Sequence, residues 1–305
     1  MTPKISVIIP FRDALQQLPT LVNALKGQTL AQEAFEVIWI DDGSRDGGGL
    51  WLQERLFPGW RLLVHSKPRG SYAARNTGLR VAVGESLAFT DADCRPNEDW
   101  LEQGLAALAS ASRVAGRVHL ELSSSPSTTE LVDAGRFLRQ HRYVQEGFGA
   151  TANLFVQRNV FGSVGEFDEH LRSGGDHEFG WRCSQAGFSI QYAENAVVAH
   201  PTRASLRQLL RKGARVGFGA GQEVRRGGMP LRMLAARASD RLALARTRGS
   251  KERSVRIVGL KRSLLVTAVH VLVLLATTLG FLRGLVLPGT AAIPDRNRRL
   301  KKGLA

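Results

Sequence analysis

Four short apolar runs alternate with helical stretches in the first third of the chain, and this alternation constrains the fold most strongly. The runs occupy residues 5–9, 35–40, 61–65 and 86–90. Stretches with helical spacing occupy residues 18–25, 48–56 and 71–83. Strands that are apolar along their whole length are buried on both faces, as in parallel sheets covered by helices. The pattern therefore predicts an α/β fold with a mostly parallel sheet that helices flank.

Carboxylates follow two of these predicted strands. Asp42 comes after the second strand, and Asp91 and Asp93 come after the fourth. Parallel strands bring their carboxyl ends to one edge of the sheet, where such folds bind ligands. In extended backbone Asp91 and Asp93 would point the same way and would repel each other without a cation. Carboxylate oxygens suit Mg²⁺ or Mn²⁺. An acidic turn that caps the next helix is the alternative, and the position after a buried strand favours a metal site.

Charge divides the chain into an acidic body and a basic tail. Residues 1–199 contain 19 Lys and Arg against 23 Asp and Glu, whereas residues 200–305 contain 23 against 4. A tail of this charge indicates an anionic partner, either nucleic acid or an anionic membrane surface. The two cysteines, Cys94 and Cys183, are too few for a disulfide framework, which indicates a reducing compartment. The N-terminal apolar run is too short for a signal peptide and reads as the first strand.

The tail itself has two parts and a glycine-rich interruption. Residues 203–262 carry arginines at helical spacing, which is typical of amphipathic helices that lie on anionic lipid. Residues 217–221, GFGAG, do not follow a strand, and we interpret them as a flexible break. Residues 264–282 carry no formal charge, and as a helix they would span about 28 Å, close to the roughly 30 Å of a bilayer core. The sequence therefore predicts a membrane-embedded segment.

Basic residues flank this apolar segment on both sides. Lys261 and Arg262 precede it, and the basic end at 296–302 follows it. The positive-inside rule assigns both flanks to the cytoplasm, so either the helix crosses once against that rule or it enters and returns, and we expect a shallow or re-entrant anchor. The predicted division is a catalytic domain at 1–202, a basic amphipathic region at 203–262, and the anchor with its basic end at 263–305.

Five sequence blocks, in this order, resemble the family 2 glycosyltransferases, which have the Rossmann-like GT-A fold. The blocks are ISVIIPFRD, VIWIDDGSRDG, RGSYAARNTGLRVAVGESLAFTDADCRP, GSVGEFDEHLRSGGDHEFGWRCSQAGF and AVVAH. The resemblance covers roughly residues 4–200. It implies that a sugar is moved from a nucleoside-diphosphate-sugar donor to a hydroxyl acceptor, with inversion at the anomeric carbon.

The resemblance also implies roles for individual residues. Those matching donor-binding positions are Pro10, Phe11, Arg12, Asp42, Arg75 and Asp91. Among them, Asp42 matches the residue that binds the base, and Asp91 the one near the ribose. Asp93 matches the residue that holds a divalent cation, Mg²⁺ or Mn²⁺, and His200 matches a histidine near that metal.

Asp176 matches the catalytic base of the family. The chain departs from the usual pattern here, because Gly175 stands where an acidic residue commonly precedes the aspartate. Glu178 is the alternate base, although positions i and i+2 do not share a helix face. An acid near a helix start also complements the helix dipole, which is the simpler role for Glu178.

Three alternatives to a transferase fit the sequence less well. A nucleotidyltransferase that makes nucleotide sugars would have a Gly-rich loop after its first strand, and this chain has PFRDALQQLP. A nucleic-acid-binding protein would interleave aromatic residues with its basic ones, which the tail does not do. A degenerate scaffold would not be expected to retain Asp42, Asp91, Asp93 and Asp176. We therefore expect an enzyme of surface polysaccharide or glycolipid synthesis at the cytoplasmic face of the membrane. Its partners would be a glycan or lipid-linked acceptor and anionic lipid, not nucleic acid.

Overall fold

The computed structural model describes residues 2–226 and 260–287 of the chain. The strands are β1 (Ile5–Phe11), β2 (Phe35–Asp41), β3 (Arg61–Val64), β4 (Ser86–Thr90), β5 (Arg95–Pro96), β6 (Arg113–Glu121), β7 (Asn153–Gln157) and β8 (Ile190–Pro201). The helices are α1 (Leu18–Lys26), α2 (Gly48–Gln53), α3 (Ser71–Val81), α4 (Trp100–Leu108), α5 (Thr128–Arg136), α6 (Gln140–Gln145), α7 (Arg158–Val164), α8 (Gly175–Gln185), α9 (Leu206–Arg225) and α10 (Leu260–Val286).

The described strands form one sheet in the order β3-β2-β1-β4-β7-β6-β8-β5. The four strands predicted from the apolar runs are parallel neighbours, which confirms the α/β prediction. Beyond β4 the sheet is mixed, because β7 runs antiparallel to both β4 and β6. β8 then pairs in parallel with β6, and the short β5 lies antiparallel at the edge.

Strands β1 and β2 are covered on both faces of the sheet, which explains why they are mostly apolar. Every residue of β1 and of β2 is buried. Successive residues of β1 alternate between two cores: Val7 and Ile9 pack in one cluster, and Ile8 packs in the other. Trp39 and Trp100 are fully buried on the first side, and Phe89 and Phe179 are fully buried on the second.

Helices α9 and α10 run parallel and in contact along a face of glycines. Gly213, Gly217 and Gly221 of α9 approach α10 in order, near Val273, Thr277 and Phe281 respectively. A Cβ atom at Gly217 would lie 1.9 Å from the carbonyl oxygen of Thr277. The interpretation of residues 217–221 as a flexible break is therefore wrong. The glycines lie inside a continuous helix, where they permit close backbone contact.

The outer face of α10 is apolar and exposed in the described structure. Residues Leu264–Val286 have a mean hydropathy of 2.2, and the helix is long and apolar enough to cross a membrane. The exposed residues, each 42–77% accessible, are Leu264, Leu265, Val271, Leu272, Leu274, Leu275, Leu279, Leu282 and Val286. The parts of the basic region at 227–259 and of the basic end at 288–305 lie outside the described residues.

Candidate active site

The ends of β1, β2 and β4 meet at one edge of the sheet, as the strand order requires. Phe11, the last residue of β1, pairs with Asp41, the last residue of β2. The next residue, Asp42, donates its backbone N–H to the carbonyl of Phe11 at 2.8 Å. The parallel pairing of β4 with β1 brings the residues after Thr90 to the same edge. The edge therefore carries the acidic residues that the sequence predicted there.

Asp91 and Asp93 lie in a turn and do not point the same way. The N–H of Cys94 donates to the carbonyl of Asp91 at 3.0 Å, which closes the turn. Asp91 Oδ1 accepts a hydrogen bond from Arg75 Nη2 at 2.5 Å. Asp93 Oδ2 instead lies 3.6 Å from His200 Nε2. The expectation that extended backbone aligns the two carboxylates is wrong, and each has its own partner.

Asp93 and His200 form a pair that fits a divalent cation. His200 Nδ1 lies 2.7 Å from the carbonyl oxygen of Pro201, which can only accept, so in the neutral imidazole Nδ1 carries the proton. The lone pair of Nε2 then faces the carboxylate of Asp93, as a metal-ligating histidine requires. Among the described residues no group of three or more His, Cys, Asp or Glu side chains gathers as a metal site. Two protein ligands are sufficient for a cation that also binds substrate phosphates and water.

Arg75 is a buried cation at the centre of the site. Its side chain is 4% exposed and pairs with Asp91, and its guanidinium lies 5.6 Å from the centre of the Tyr72 ring. The Nε of Arg75 has no hydrogen-bond partner among the described residues. The Nε atom is itself buried, so what Arg75 offers to a phosphate at this edge is its positive charge.

Asp176 lies in the first turn of α8, which begins after Gly174 in the left-handed conformation, with φ 84°. Asp176 Oδ1 accepts hydrogen bonds from the Tyr72 hydroxyl at 3.3 Å and from the N–H of His177 at 3.0 Å. Burial raises the pKa of Asp176 above its ordinary value, although the charge of Arg75 opposes the rise. Burial and the charge of Asp176 raise the pKa of Tyr72, so its hydroxyl stays protonated and donates. A carboxylate with a raised pKa is suited to accept a proton.

Glu178 lies away from this cluster, inside the protein. Its side chain is 1% exposed and pairs with Arg182 through two hydrogen bonds of 2.9 and 3.0 Å. Arg182 also donates to the carbonyl of Glu166 at 2.7 Å. Glu178 therefore ties α8 to the preceding loop, and the geometry favours Asp176 as the base.

The three residues predicted at the end of β1 differ in what they offer a ligand. Phe11 is 3% exposed, and its ring meets that of Trp39 edge-on at 6.4 Å. The side chain of Phe11 therefore packs in the core, and its role beside the donor stays a prediction. Pro10 is buried within β1. Arg12 is exposed and lies 3.5 Å from Asp13, so it remains available to a ligand.

Asp42 is buried and already accepts three hydrogen bonds. Its Oδ1 lies 2.7 Å from His65 Nδ1 and 2.8 Å from the N–H of Arg69, and its Oδ2 lies 2.8 Å from the N–H of Gly70. The carboxylate thus orders the loop that precedes α3. Its role as the base-binding residue stays a prediction.

Sequence reasoning missed three residues that touch the site. Tyr72 donates to Asp176, His65 holds Asp42, and Glu223 of α9 contacts His177, the neighbour of Asp176. His65 directly follows β3, so the rule used for the acidic strand ends would have found it. Tyr72 and Glu223 lie on helices, and no local pattern marks them.

A sheet with acids at its parallel strand ends, an Asp–His pair and a buried carboxylate is the arrangement expected of a GT-A glycosyltransferase. Residues 6–161 match the profile of Glycosyl transferase family 2, and the chain belongs to that family. The predicted enzyme class is confirmed.

The chain is similar to curated relatives and to a solved structure. Glycosyltransferase AglE of Haloferax volcanii is 33% identical over 222 residues, which cover 71% of this chain and 73% of that protein. The pre-mycofactocin glycosyltransferase of Mycobacterium tuberculosis is 29% identical over 229 residues, covering 71% of this chain and 46% of that protein. The mannosyltransferase PcManGT from Pyrobaculum calidifontis, solved with GDP-Man and Mn²⁺, superposes with a TM-score of 0.64 at 17% identity. That superposition covers 92% of this chain and 88% of the other, and it shows a shared fold.

Proposed function

We propose that this protein transfers a sugar from a nucleoside-diphosphate-sugar to a hydroxyl of a glycan or lipid-linked acceptor, with inversion. The observation that carries the proposal is a continuous connection between the donor end and the base end of the site. Arg75 binds Asp91 at 2.5 Å and lies against the ring of Tyr72, whose hydroxyl donates to Asp176. One helix, α3, thus joins the turn after β4 to the proposed base.

Asp176 acts as the general base in this proposal. The acceptor hydroxyl must lose its proton as it attacks, and a positioned base of this kind contributes about 10²- to 10⁴-fold. Both hydrogen bonds that Asp176 accepts from described residues end on Oδ1. Its Oδ2 is therefore the oxygen that would take the proton.

The donor would bind along the sheet edge. Asp91 would contact the ribose and Asp42 the base, with Arg12 and the backbone of Pro10 and Phe11 beside them. Arg75 would place its buried positive charge beside the donor and would hold Asp91 in position. Asp93 and His200 would hold a divalent cation, which neutralises the charge that builds on the leaving diphosphate. PcManGT was solved with Mn²⁺ and GDP-Man, which supports a cation and a nucleotide sugar here.

The proposed location is the cytoplasmic face of a membrane, where α10 serves as the anchor. Its exposed apolar face supports lipid contact, and the arginines Arg207, Arg211 and Arg215 are exposed on α9. Because α9 covers α10 from Val273 to Leu285, the glycine contact supports a shallow or re-entrant anchor over a crossing helix. Protease treatment of sealed vesicles tests this: digestion of a C-terminal tag from outside cytoplasmic-face-out vesicles is expected, and a protected tag means a full crossing.

We also propose the domain division at 1–202, 203–262 and 263–305, but the contacts of α9 change how its middle region is described. The middle region does not stand apart from the body, because Glu223 of α9 is buried against His177 of α8. We therefore treat α9 as a helix of the catalytic unit that also contacts the anchor.

The experiment that tests the function starts from slow donor hydrolysis. The full chain in detergent is screened with Mn²⁺ against nucleotide sugars, and one donor is expected to be cleaved. Asp176→Asn should lose about 10²- to 10⁴-fold in transfer while it binds the nucleoside diphosphate as the wild type does. Glu194→Gln, on a side chain that is 73% exposed, is the matched control. Loss of binding together with activity would show that Asp176 is not the base.

A further inference from the structure

The segment that carries the proposed base, residues 168–177, is held by α9. Gln222 Oε1 accepts the backbone N–H of Arg172 at 3.1 Å. Arg226, just after α9, places Nη2 3.3 Å from Asp168 Oδ2, and both side chains are buried. We call residues 168–177 the base loop. Its course into α8 therefore depends on a helix far along the chain.

Backbone contact between α9 and the base loop is as close as glycine allows. A Cβ atom at Gly219 would lie 2.1 Å from the carbonyl oxygen of Ser173. On its other side α9 meets α10, where a Cβ at Gly217 would lie 1.9 Å from the carbonyl oxygen of Thr277. The helix is thus packed between α10 and the base loop, with little room to shift.

The tightest polar contact across this junction involves the residue next to the proposed base. His177 Nδ1 lies 2.7 Å from Glu223 Oε1, and the side chains are 9% and 3% exposed. The imidazole also meets the ring of Phe148 edge-on at 5.0 Å. His177 in turn donates its backbone N–H to Asp176 Oδ1 at 3.0 Å. Glu223 therefore holds the ring of His177, and the backbone N–H of His177 in turn holds the carboxylate of Asp176.

The second oxygen of Glu223 lies over the start of α8. A Cβ atom at Gly174 would be 3.7 Å from Glu223 Oε2. Gly174 takes a left-handed conformation and caps α8, so the carboxylate sits beside the helix N-terminus, where the helix dipole favours negative charge. Glu223 is thereby linked both to the ring of His177 and to the turn from which Asp176 projects.

We propose that Glu223 is a positioning residue for transfer: through its hydrogen bond to His177 it holds Asp176 in the orientation that accepts the acceptor proton. The proposal rests on the role of Asp176 as the general base. Glu223 touches neither donor nor acceptor in this account. Its removal should therefore slow the chemical step without weakening donor binding.

The test compares Glu223→Ala with Glu223→Gln in the full chain. Glu223→Ala removes the acceptor of the His177 bond, and a base displaced by about 1 Å is expected to lower kcat by about 10- to 100-fold. The KM for the donor and the Kd for the nucleoside diphosphate should stay within about twofold of wild type. Glu223→Gln keeps an oxygen for His177 and should retain kcat within about threefold. Glu194→Ala, on an exposed carboxylate, is the control for loss of charge.

The outcomes separate this inference from the proposed function. If Asp176→Asn is inactive but Glu223→Ala keeps its kcat, Asp176 is the base and the positioning role of Glu223 is wrong. A parallel loss of kcat and of nucleoside-diphosphate affinity in Glu223→Ala would mean a general structural role and would also overturn it. Equal loss in Glu223→Gln and Glu223→Ala refutes the hydrogen bond as the cause. Should Glu223→Ala fail to fold, Glu223→Gln still tests the proposal. The proposal requires Glu223→Gln to retain a near-normal kcat, and a large loss of kcat in that variant would overturn it. If Asp176→Asn is itself active, the proposed function fails first.

Discussion

Gly217→Ala tests the close contact between α9 and α10 with a single methyl group. The new Cβ would lie 1.9 Å from the Thr277 carbonyl oxygen, 2.8 Å from its carbonyl carbon and 3.0 Å from the N of Phe281. All three are backbone atoms, so no side chain can rotate away. Because Cβ contacts below 3.0 Å essentially never occur, the two helices must separate by about 1 Å.

The expected cost combines two opposing effects. Overpacking of this kind typically destabilises by about 1–3 kcal/mol, and the shape of this contact favours the upper half of that range. Alanine gains about 1 kcal/mol over glycine in helix propensity. A net loss of about 1–2 kcal/mol remains. Gly162→Ala in α7 is the matched control, because no atom lies within 4 Å of its added Cβ. That variant should gain stability.

Hydrogen exchange of the α9 amides measures the effect where it occurs. A loss of 1–2 kcal/mol corresponds to exchange about 5- to 30-fold faster in residues 213–221. A shift of α9 should also displace the base loop and lower kcat, with nucleoside-diphosphate binding unchanged. If the amides of residues 213–221 exchanged as slowly in Gly217→Ala as in the wild type, or if Gly217→Ala gained stability as Gly162→Ala does, the close packing of α9 on α10 would be refuted.

Three further predictions concern the site itself. Asp176→Asn should unfold at a higher temperature near neutral pH. Burial raises the pKa of the wild-type Asp176 carboxyl in the folded state, so this carboxyl favours folding below its unfolded pKa and loses that contribution as the pH rises through its folded pKa. Differential scanning fluorimetry measures this, and a lower midpoint would contradict it. Asp93→Ala and His200→Ala should each weaken the Mn²⁺-dependent part of nucleoside-diphosphate binding in calorimetry, and binding insensitive to chelator in the wild type would disprove the metal role. Asp91→Asn should keep the Mn²⁺ dependence of binding but should lose donor affinity. It should also lose about 1–3 kcal/mol of stability in urea unfolding, because it weakens the ion pair of the buried Arg75. Unchanged stability would show that this ion pair contributes nothing to folding.

Local pattern was sufficient to predict the acidic edge of the sheet. Each of the first four apolar runs forms a strand. Every residue of β1 and β2 is buried, and a strand that helices cover on both faces of the sheet must be mostly apolar. Asp42 and Asp91 come to one edge because parallel strands of a twisted α/β sheet must present their ends together. Resemblance in five ordered blocks added the family, which the profile match confirmed.

Side-chain direction at that edge depended on backbone conformation that spacing does not specify. The prediction for Asp91 and Asp93 assumed extended backbone, and a turn closed by Cys94 directs them to Arg75 and to His200 instead. The choice between Asp176 and Glu178 was likewise open in sequence. It depends on Arg182, which pairs with Glu178 inside the protein.

The sequence by itself thus determined the parallel sheet, the acidic edge and the apolar length of the last helix, because each follows from residues close together in the chain. Tertiary structure alone decided that β7 enters the sheet antiparallel and that GFGAG is a packing face. It also decided that Glu223 holds the neighbour of Asp176. The physical reason is the same in each case: these contacts join segments distant in the chain, and their energy depends on shape complementarity that exists only after folding.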